Sequence, residues 1–380
     1  MSNKTTNEPF VRIVKRDNVT VIGRICIVAV AIFLALVVDA IFIFLVTKLN
    51  PILVYITMAK GTFENSMKMS WAMRDLAGLL IIGVALAPAF KMKFWNIGAE
   101  GQVLMGGLAT ALVMTKLGDK LPTAVLFATM FAAAILSGAV WAFLPAVFKA
   151  YWKTNETLFT LMMNYVAVSI VACVTNIMRG KASSLGRLNM KTKAGWFPEF
   201  AGQSFYINII IIAVLTVVMY LYLKYTKQGY EISVVGESEN TARYAGINVK
   251  KVIIRTVIIS GAVCGLAGCL LVAGKDRTIS TNTAGGDGFT AIIVAWLAKF
   301  NTFIMVLISF LLIFLEKGAG EIASAFQLND YIADIISGII LFFILGSEFF
   351  ANYRIIFRKN VHRHQSVTDW KQEKSEKEAK

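Results

Sequence analysis

Histidine is almost missing from this chain: among 380 residues there are two, His362 and His364, both in the polar C-terminal stretch. Neither a histidine-based metal centre nor a histidine catalyst is therefore expected. Cysteine is equally sparse. The four present (Cys26, Cys173, Cys264 and Cys269) all fall within apolar segments with no paired spacing in a loop. They read as small helix-packing residues, not as disulfides or metal ligands. No H-E-x-x-H or Cys/His cluster occurs. The phosphate loop G-x-x-x-x-G-K-[ST] is absent too, which excludes ATP hydrolysis by that route. Charge is scarce, at 16% of residues against 57% hydrophobic. A soluble chain of this length has too little interior to hide so much apolar surface. No catalytic residue, metal or cofactor is assigned to the chain itself.

Long apolar runs fill the space. Ile25–Thr47 and Ile207–Leu223 carry almost no charge and are long enough to cross a bilayer as helices. Trp95, Trp141, Trp152 and Trp196 lie near run ends, where interfacial aromatic belts form. The expected fold is all-α: a polytopic membrane protein with about ten membrane segments, some of them short or broken helices. The segments are 25–47, 75–90, 97–116, 122–148, 157–178, 207–224, 252–274, 289–300, 302–316 and 331–350. Those at 75–90 and 289–300 are short for a full crossing. Such pieces beside glycine-rich sequence suggest helices that stop part-way and line a cavity. Lys15, Arg16 and Arg24 precede the first run as in a secretion signal, but the run exceeds an h-region and no small-x-small cleavage pattern follows, so it is read as a retained helix.

An even number of crossings places both termini on one side. Lys and Arg are richer on that side, before the first segment, at 91–95, at 149–156, at 224–255 and in the tail, so both termini are expected in the cytoplasm. The net charge of +15 is mostly this orientation signal, and no nucleic acid is implied. Residues 1–24 form an N-terminal tail, 25–350 the transmembrane domain with a cytoplasmic loop at about 225–252, and 351–380 a polar tail. The whole of that cytoplasmic tail reads as disordered, with "DWKQEKSEKEAK" as its mixed-charge end.

The cytoplasmic loop "KQGYEISVVGESENTARYAGINVKKV" specifies a short helix. Ser238 can cap it, Glu239 suits its positive end and Arg243 its last turn. Gly246 supplies a left-handed residue after it, and Ile247 can fold back onto Ala242. Such a helix suits another protein's groove; an ordinary capped loop helix is the equal alternative. In "NIGAEGQVLMGG", Gly98, Gly101, Gly106 and Gly107 permit close helix approach and a break near the start of the third segment. A central charge in lipid costs about 2.5–3.5 kcal/mol, so Glu100 must face protein or water. Asn96, Glu100 and Gln102 either line a solute path or brace the break, and the brace is weighed ahead. In "TNETLFTLMMNYVAVSI", Thr154 or Asn155 caps a helix, and Asn164 is either a solute partner or interhelix glue, with Tyr165 beside it. Phe159, Met162 and Met163 read as packing residues. "ISGAVCGLAG" presents Gly261, Gly265 and Gly268 as a helix-contact face. The glycine-rich turn at 285–288 either offers amides to a polar solute or is a flexible loop, with Asp287 as helix cap.

The order "GESENTARYAGINVKKV…IISGAVCGLAG" resembles the coupling loop and following helix of ABC-importer permeases of the ribose, nucleoside and branched-chain amino acid class. "NIGAEGQ" and "TLFTLMMNYVA" are similar to the nucleoside and simple-sugar branch in particular. The resemblance implies a non-enzymatic permease subunit in the cell membrane, forming a path for nucleosides. ATP and Mg would be used by a separate ATP-binding subunit. A second related permease chain and an extracytoplasmic solute-binding protein would complete the assembly. It also implies that Gly236, Glu237, Asn240, Ala242, Gly246 and Ile247 contact the ATPase, although Arg243 and Tyr244 stand where the family more often has smaller residues. Ribose or another simple sugar is the alternative solute. Two other classes fit less well. An ion-coupled carrier should show inverted repeats and paired membrane carboxylates, and few candidates exist beyond Glu100. An intramembrane enzyme needs an acid cluster or nucleophile–base pair that cannot be assembled.

Overall fold

Asparagine caps the start of five helices in this chain. Asn50 accepts from the Ile52 amide (2.9 Å), Asn65 from Lys68 (2.8 Å), Asn155 from Thr157 (3.0 Å), Asn248 from Lys251 (3.1 Å) and Asn301 from Phe303 (3.0 Å). Each satisfies an amide that the first helical turn leaves without a partner. The structure, a computed structural model, describes residues 11–16, 21–200, 202–203 and 205–357. His362, His364 and the stretch 369–380 lie outside the described residues, as does most of the N-terminal tail.

Thirteen helices are present among the described residues: α1 (Val21–Thr47), α2 (Pro51–Phe63), α3 (Ser66–Lys91), α4 (Ala99–Leu117), α5 (Thr123–Trp152), α6 (Glu156–Arg179) and α7 (Tyr206–Tyr225), then α8 (Lys227–Glu237), α9 (Glu239–Tyr244), α10 (Val249–Leu270), α11 (Asp287–Leu297), α12 (Thr302–Phe326) and α13 (Asp330–Asn352). Eight are long and apolar enough to cross a membrane: α1, α3, α5, α6, α7, α10 with its extension, α12 and α13. The fold is a polytopic all-α membrane protein. α11, with 11 residues, is about half a crossing.

The chain divides into two compact units. One comprises residues 47–337. The other combines residues 1–46 with 338–380 and contains most of α1, the end of α13 and a two-stranded antiparallel ribbon of β1 (Val11–Lys15) and β2 (Tyr353–Phe357). The ribbon lies within stretches the sequence assigns to the two tails, so residues 353–357 form a strand where a disordered tail was expected. Its partners are so far apart in the chain that no local signal announces them.

In the larger unit α3 and α10 are the core. Buried residues make up 89% of the apolar window of α3 and 78% of that of α10, against 22% for α5 and α6. Glycine makes the approach of α4, α5 and α10 possible. A side chain at Gly106 would meet the Gly265 backbone, one at Gly138 the Gly261 carbonyl, and one at Gly265 the Ala134 carbonyl. Gly268 lies as tightly against Val103 and Gly107. The three glycines of "ISGAVCGLAG" are thus a helix-contact face.

Several boundaries differ from the sequence expectation. The segment taken as a short 75–90 is part of the 26-residue α3, and 302–316 is the first part of the 25-residue α12. In both, charged residues marked a false end: Arg74 and Asp75 in one, Glu316 and Lys317 in the other. α2 and α8 were not anticipated. Of the cysteines, Cys264 and Cys269 are buried packing residues, whereas Cys26 and Cys173 are exposed and free. Trp141 lies in the middle of α5, not at an interface.

Candidate functional site

The chain leaves α3 through a left-handed turn at Lys93 (φ 59°) and enters α4 through Asn96–Gly98. Turning here frees backbone groups, and Asn96, Gln102 and Asn164 are spent on them or on each other. The Asn96 amide donates to Gln102 Oε1 (3.2 Å) and Ser260 Oγ (3.3 Å). Gln102 donates back to Asn96 Oδ1 (3.2 Å), which also accepts from the Gly98 amide (3.1 Å). From α6, Asn164 Oδ1 accepts from the Gly101 amide (2.9 Å) while its Nδ2 donates to the Ile97 carbonyl (2.8 Å). One turn earlier, Thr160 Oγ1 accepts from the Ile97 amide (3.2 Å). Asn96, Gln102, Asn164 and Thr160 are all buried. Gly98 and Gly101 are glycine because Thr160 and Asn164 occupy the space of a side chain.

Glu100 reaches further. Its Oε1 accepts from the Gly286 amide (3.0 Å) and its Oε2 from the Gly288 amide (2.9 Å). The carboxylate therefore binds the N-terminus of the half-helix α11, where unpaired amides and the helix dipole favour negative charge. This answers the burial cost, since charge-assisted hydrogen bonds replace the water it gave up. It also corrects two expectations. The amides at 286 and 288 face Glu100 and not a solute, and Asp287 is the first helical residue, the cap position being Gly286 (φ 83°). Tyr165, expected to work beside Asn164, is 63% exposed on another face of α6. Met162 also points outward, while Phe159 packs on Phe148 with ring centroids 5.0 Å apart.

Two features had no sequence signal strong enough to find them. α10 does not end at Leu270 but continues as a π-helical turn, Leu271–Asp276, closed by Arg277 in the left-handed region (φ 56°). Asn208 from α7 donates to the Leu270 carbonyl (2.9 Å) at the change of helix type. The turn presents Lys275 to Asp75, which is only 7% exposed. Lys275 Nζ lies 3.1 Å from Asp75, Lys317 Nζ from α12 lies 2.6 Å away, and Arg74 Nε lies 2.9 Å away. One carboxylate thus ties α3, α10 and α12 together.

On the other side of the unit, α8 and α9 form the loop that follows α7. Glu231 on α8 pairs with Arg255 on α10 (3.0 Å). Gly236 lies so close to the Lys91 carbonyl that no side chain fits. α9 is a six-residue helix capped by Ser238, whose Oγ accepts from the Thr241 amide (3.3 Å). Gly246 is left-handed (φ 75°) and the Ile247 amide returns to the Ala242 carbonyl (2.9 Å). Of the six residues assigned to the loop surface, Glu237, Asn240 and Gly246 are exposed and Ile247 is half-buried. Gly236 and Ala242 are buried against the chain itself, so they support this surface without forming part of it. Its most prominent side chain is Tyr244, 91% exposed.

Membrane-length helices together with the interrupted α10 and the short α11 are the architecture of a polytopic membrane protein. The chain belongs to the family described as branched-chain amino acid transport system, permease component, whose profile matches residues 69–345. It is an ABC-importer permease. Among its relatives are the glucose ABC transporter permease TsgB13 of Haloferax volcanii, 27% identical over 81% of this chain and 84% of the relative. The guanosine ABC transporter permease NupP of Bacillus subtilis is 28% identical over 86% and 94%. The nucleoside ABC transporter permease NupB of Lactococcus lactis is 24% identical over 78% and 84%.

Proposed function

We propose that this permease forms the membrane path for nucleoside uptake, driven by ATP and Mg used in a separate ATP-binding subunit. The observation that carries the coupling is α9, a rigid, capped and exposed helix whose neighbour α8 is locked to α3 and α10. Push on that surface, through Glu237, Asn240, Tyr244, Gly246 and Ile247, reaches the two core helices directly. Gly236 and Ala242 hold the surface in place. Both termini and α9 face the cytoplasm, in keeping with the distribution of Lys and Arg. Asn96, Glu100, Gln102 and Asn164 brace the wall of the path, because their hydrogen-bonding groups are engaged by the chain. A second, related permease chain completes the path, and a solute-binding protein delivers the nucleoside from outside. Arg179, Lys181, Arg187, Lys191 and Lys193 in the loop 179–206 are its proposed dock, which high salt would weaken.

The relatives NupP and NupB favour a nucleoside, and TsgB13 supports the second reading, a sugar. Reconstitution separates them. The chain is placed in liposomes with ATPase, second permease and binding protein, and uptake of labelled guanosine and uridine is compared with that of ribose and glucose. ATP-dependent nucleoside uptake is expected. Uptake of sugar alone would replace the solute, and uptake by the lone chain on an ion gradient would replace the mechanism. Full activity without a second permease type would reject only the heteromer.

A further inference from the structure

We propose that the groove between the end of α5 and the first turns of α10 binds an anionic phospholipid of the cytoplasmic leaflet. The groove encloses about 470 Å3. Its lip is cationic, formed by Lys250, Lys251 and Arg255, and its inner wall is Ile254, Ile258 and Ile259. Among the described residues that line it there is no carboxylate. Glu231, on α8, balances Arg255 at 3.0 Å, so the two lysines give the lip a net positive charge. Lys250 Nζ sits 4.5 Å from the centroid of the Tyr151 ring, which holds one ammonium at the mouth.

The spacing along α10 explains the shape. Lys250, Ile254 and Ile258 follow one another at four-residue intervals, and Lys251, Arg255 and Ile259 form the adjacent stripe. The opposite face, with Val252, Ile253, Thr256, Val257 and Ser260, is buried in the bundle. From Lys251 to Ile259 the helix rises about 12 Å, and over that distance the surface passes from charged to wholly aliphatic. A phospholipid has the same profile, phosphate first and acyl chain behind it. A water-soluble anion has no use for three isoleucines below its site. The level fits as well: Tyr151 and Trp152, 57% and 65% exposed, lie at the end of α5, where interfacial aromatics mark the headgroup region. Basic clefts between membrane helices on the cytoplasmic side attract anionic headgroups. The choice of leaflet rests on the orientation proposed above, but the solute carried does not enter the argument.

The test uses the purified full chain in detergent, titrated with phosphatidylglycerol or phosphatidylcholine of identical acyl chains and read by native mass spectrometry. Phosphatidylglycerol should bind preferentially. Each lysine at the membrane surface is worth about fivefold, so Lys250→Gln with Lys251→Gln should weaken phosphatidylglycerol about 30-fold and leave phosphatidylcholine unchanged. The double arginine variant should bind like the parent. Both lysines are exposed, so the bundle should tolerate either pair. Equal retention of the two lipids, or parental affinity in the glutamine variant, would overturn the proposal. So would displacement of phosphatidylglycerol by inorganic phosphate alone. Ile258→Cys, with Cys26 and Cys173 changed to serine, supplies the last arm: its shielding from a lipid-soluble maleimide by a second permease chain, and not by phosphatidylglycerol, would make the groove a subunit contact. None of these outcomes alters the transport assignment, which the uptake experiment tests separately.

Discussion

Replacing Glu100 probes the brace most directly, because both carboxylate oxygens have identified partners. Glu100→Leu removes two acceptors and leaves the Gly286 and Gly288 amides without them. A buried donor left unpaired costs about 1–3 kcal/mol, so the leucine variant should lose about 4 kcal/mol. Glu100→Gln keeps one acceptor and turns an NH2 group toward the other amide. It should lose about 2 kcal/mol, including the charge–dipole attraction at the start of α11. The order of resistance to heating in detergent, followed by fluorescence-detected size exclusion, should be wild type, then Gln, then Leu. Uptake per folded molecule should stay near wild type in the glutamine variant. Gly288→Ala adds a check, because its methyl group would press on the Glu100 amide nitrogen and Oε2, each 2.6 Å away. If both changes break one contact, Glu100→Leu and Gly288→Ala together should cost less than their sum. A leucine variant that melts like wild type would refute the brace. A glutamine variant that folds normally yet transports nothing would move Glu100 onto the solute path.

Asp75→Asn should destabilise the bundle by about 3 kcal/mol, since Arg74, Lys275 and Lys317 lose the buried carboxylate they share; adding Lys317→Met should restore part of the loss in the same melting assay. Gly246→Val should leave insertion and abundance unchanged while uptake collapses, because a β-branched residue resists the left-handed backbone that closes α9; wild-type uptake at equal abundance would remove that helix from the coupling route. Gly265→Ala should lower abundance severely, since its methyl group would enter the Ala134 carbonyl with backbone, not side chain, as the obstacle. In pulse-chase after induction, a variant as long-lived as wild type would show that α5 and α10 can separate more than their contact suggests.

What could be read from the sequence was whatever is local. The cap at Ser238, the left-handed Gly246 and the return of Ile247 to Ala242 all lie within ten residues, and each is present. The glycine face of α10 was legible for the same reason, as a spacing along one helix. Charge misled where it is paired across the bundle. Asp75 looked like a segment boundary because Lys275 and Lys317, which neutralise it, are 200 and 242 residues away in the chain. Glu100 was recognisably constrained, but choosing between path and brace required its partners, 186 and 188 residues further on. Gly236 and Ala242 carried a family pattern without saying which side they face.

The π-helical turn at Leu271–Asp276 has a consequence for insertions and deletions. Such a turn holds one residue more than an α-helix would over the same stretch. Deleting one residue between 271 and 274 would let the helix close regularly, and everything beyond would stay close to its present place, because the residue removed is the one that the regular helix leaves out. Lys275 would keep its approach to Asp75, and Arg277 its cover of the Trp196 ring at 4.3 Å. A deletion of the same size in the regular part of α10 would instead turn everything beyond it by about 100° and withdraw it by about 1.5 Å. The π-helical turn is therefore a place where α10 can lose a residue and keep its charged partners on the same faces.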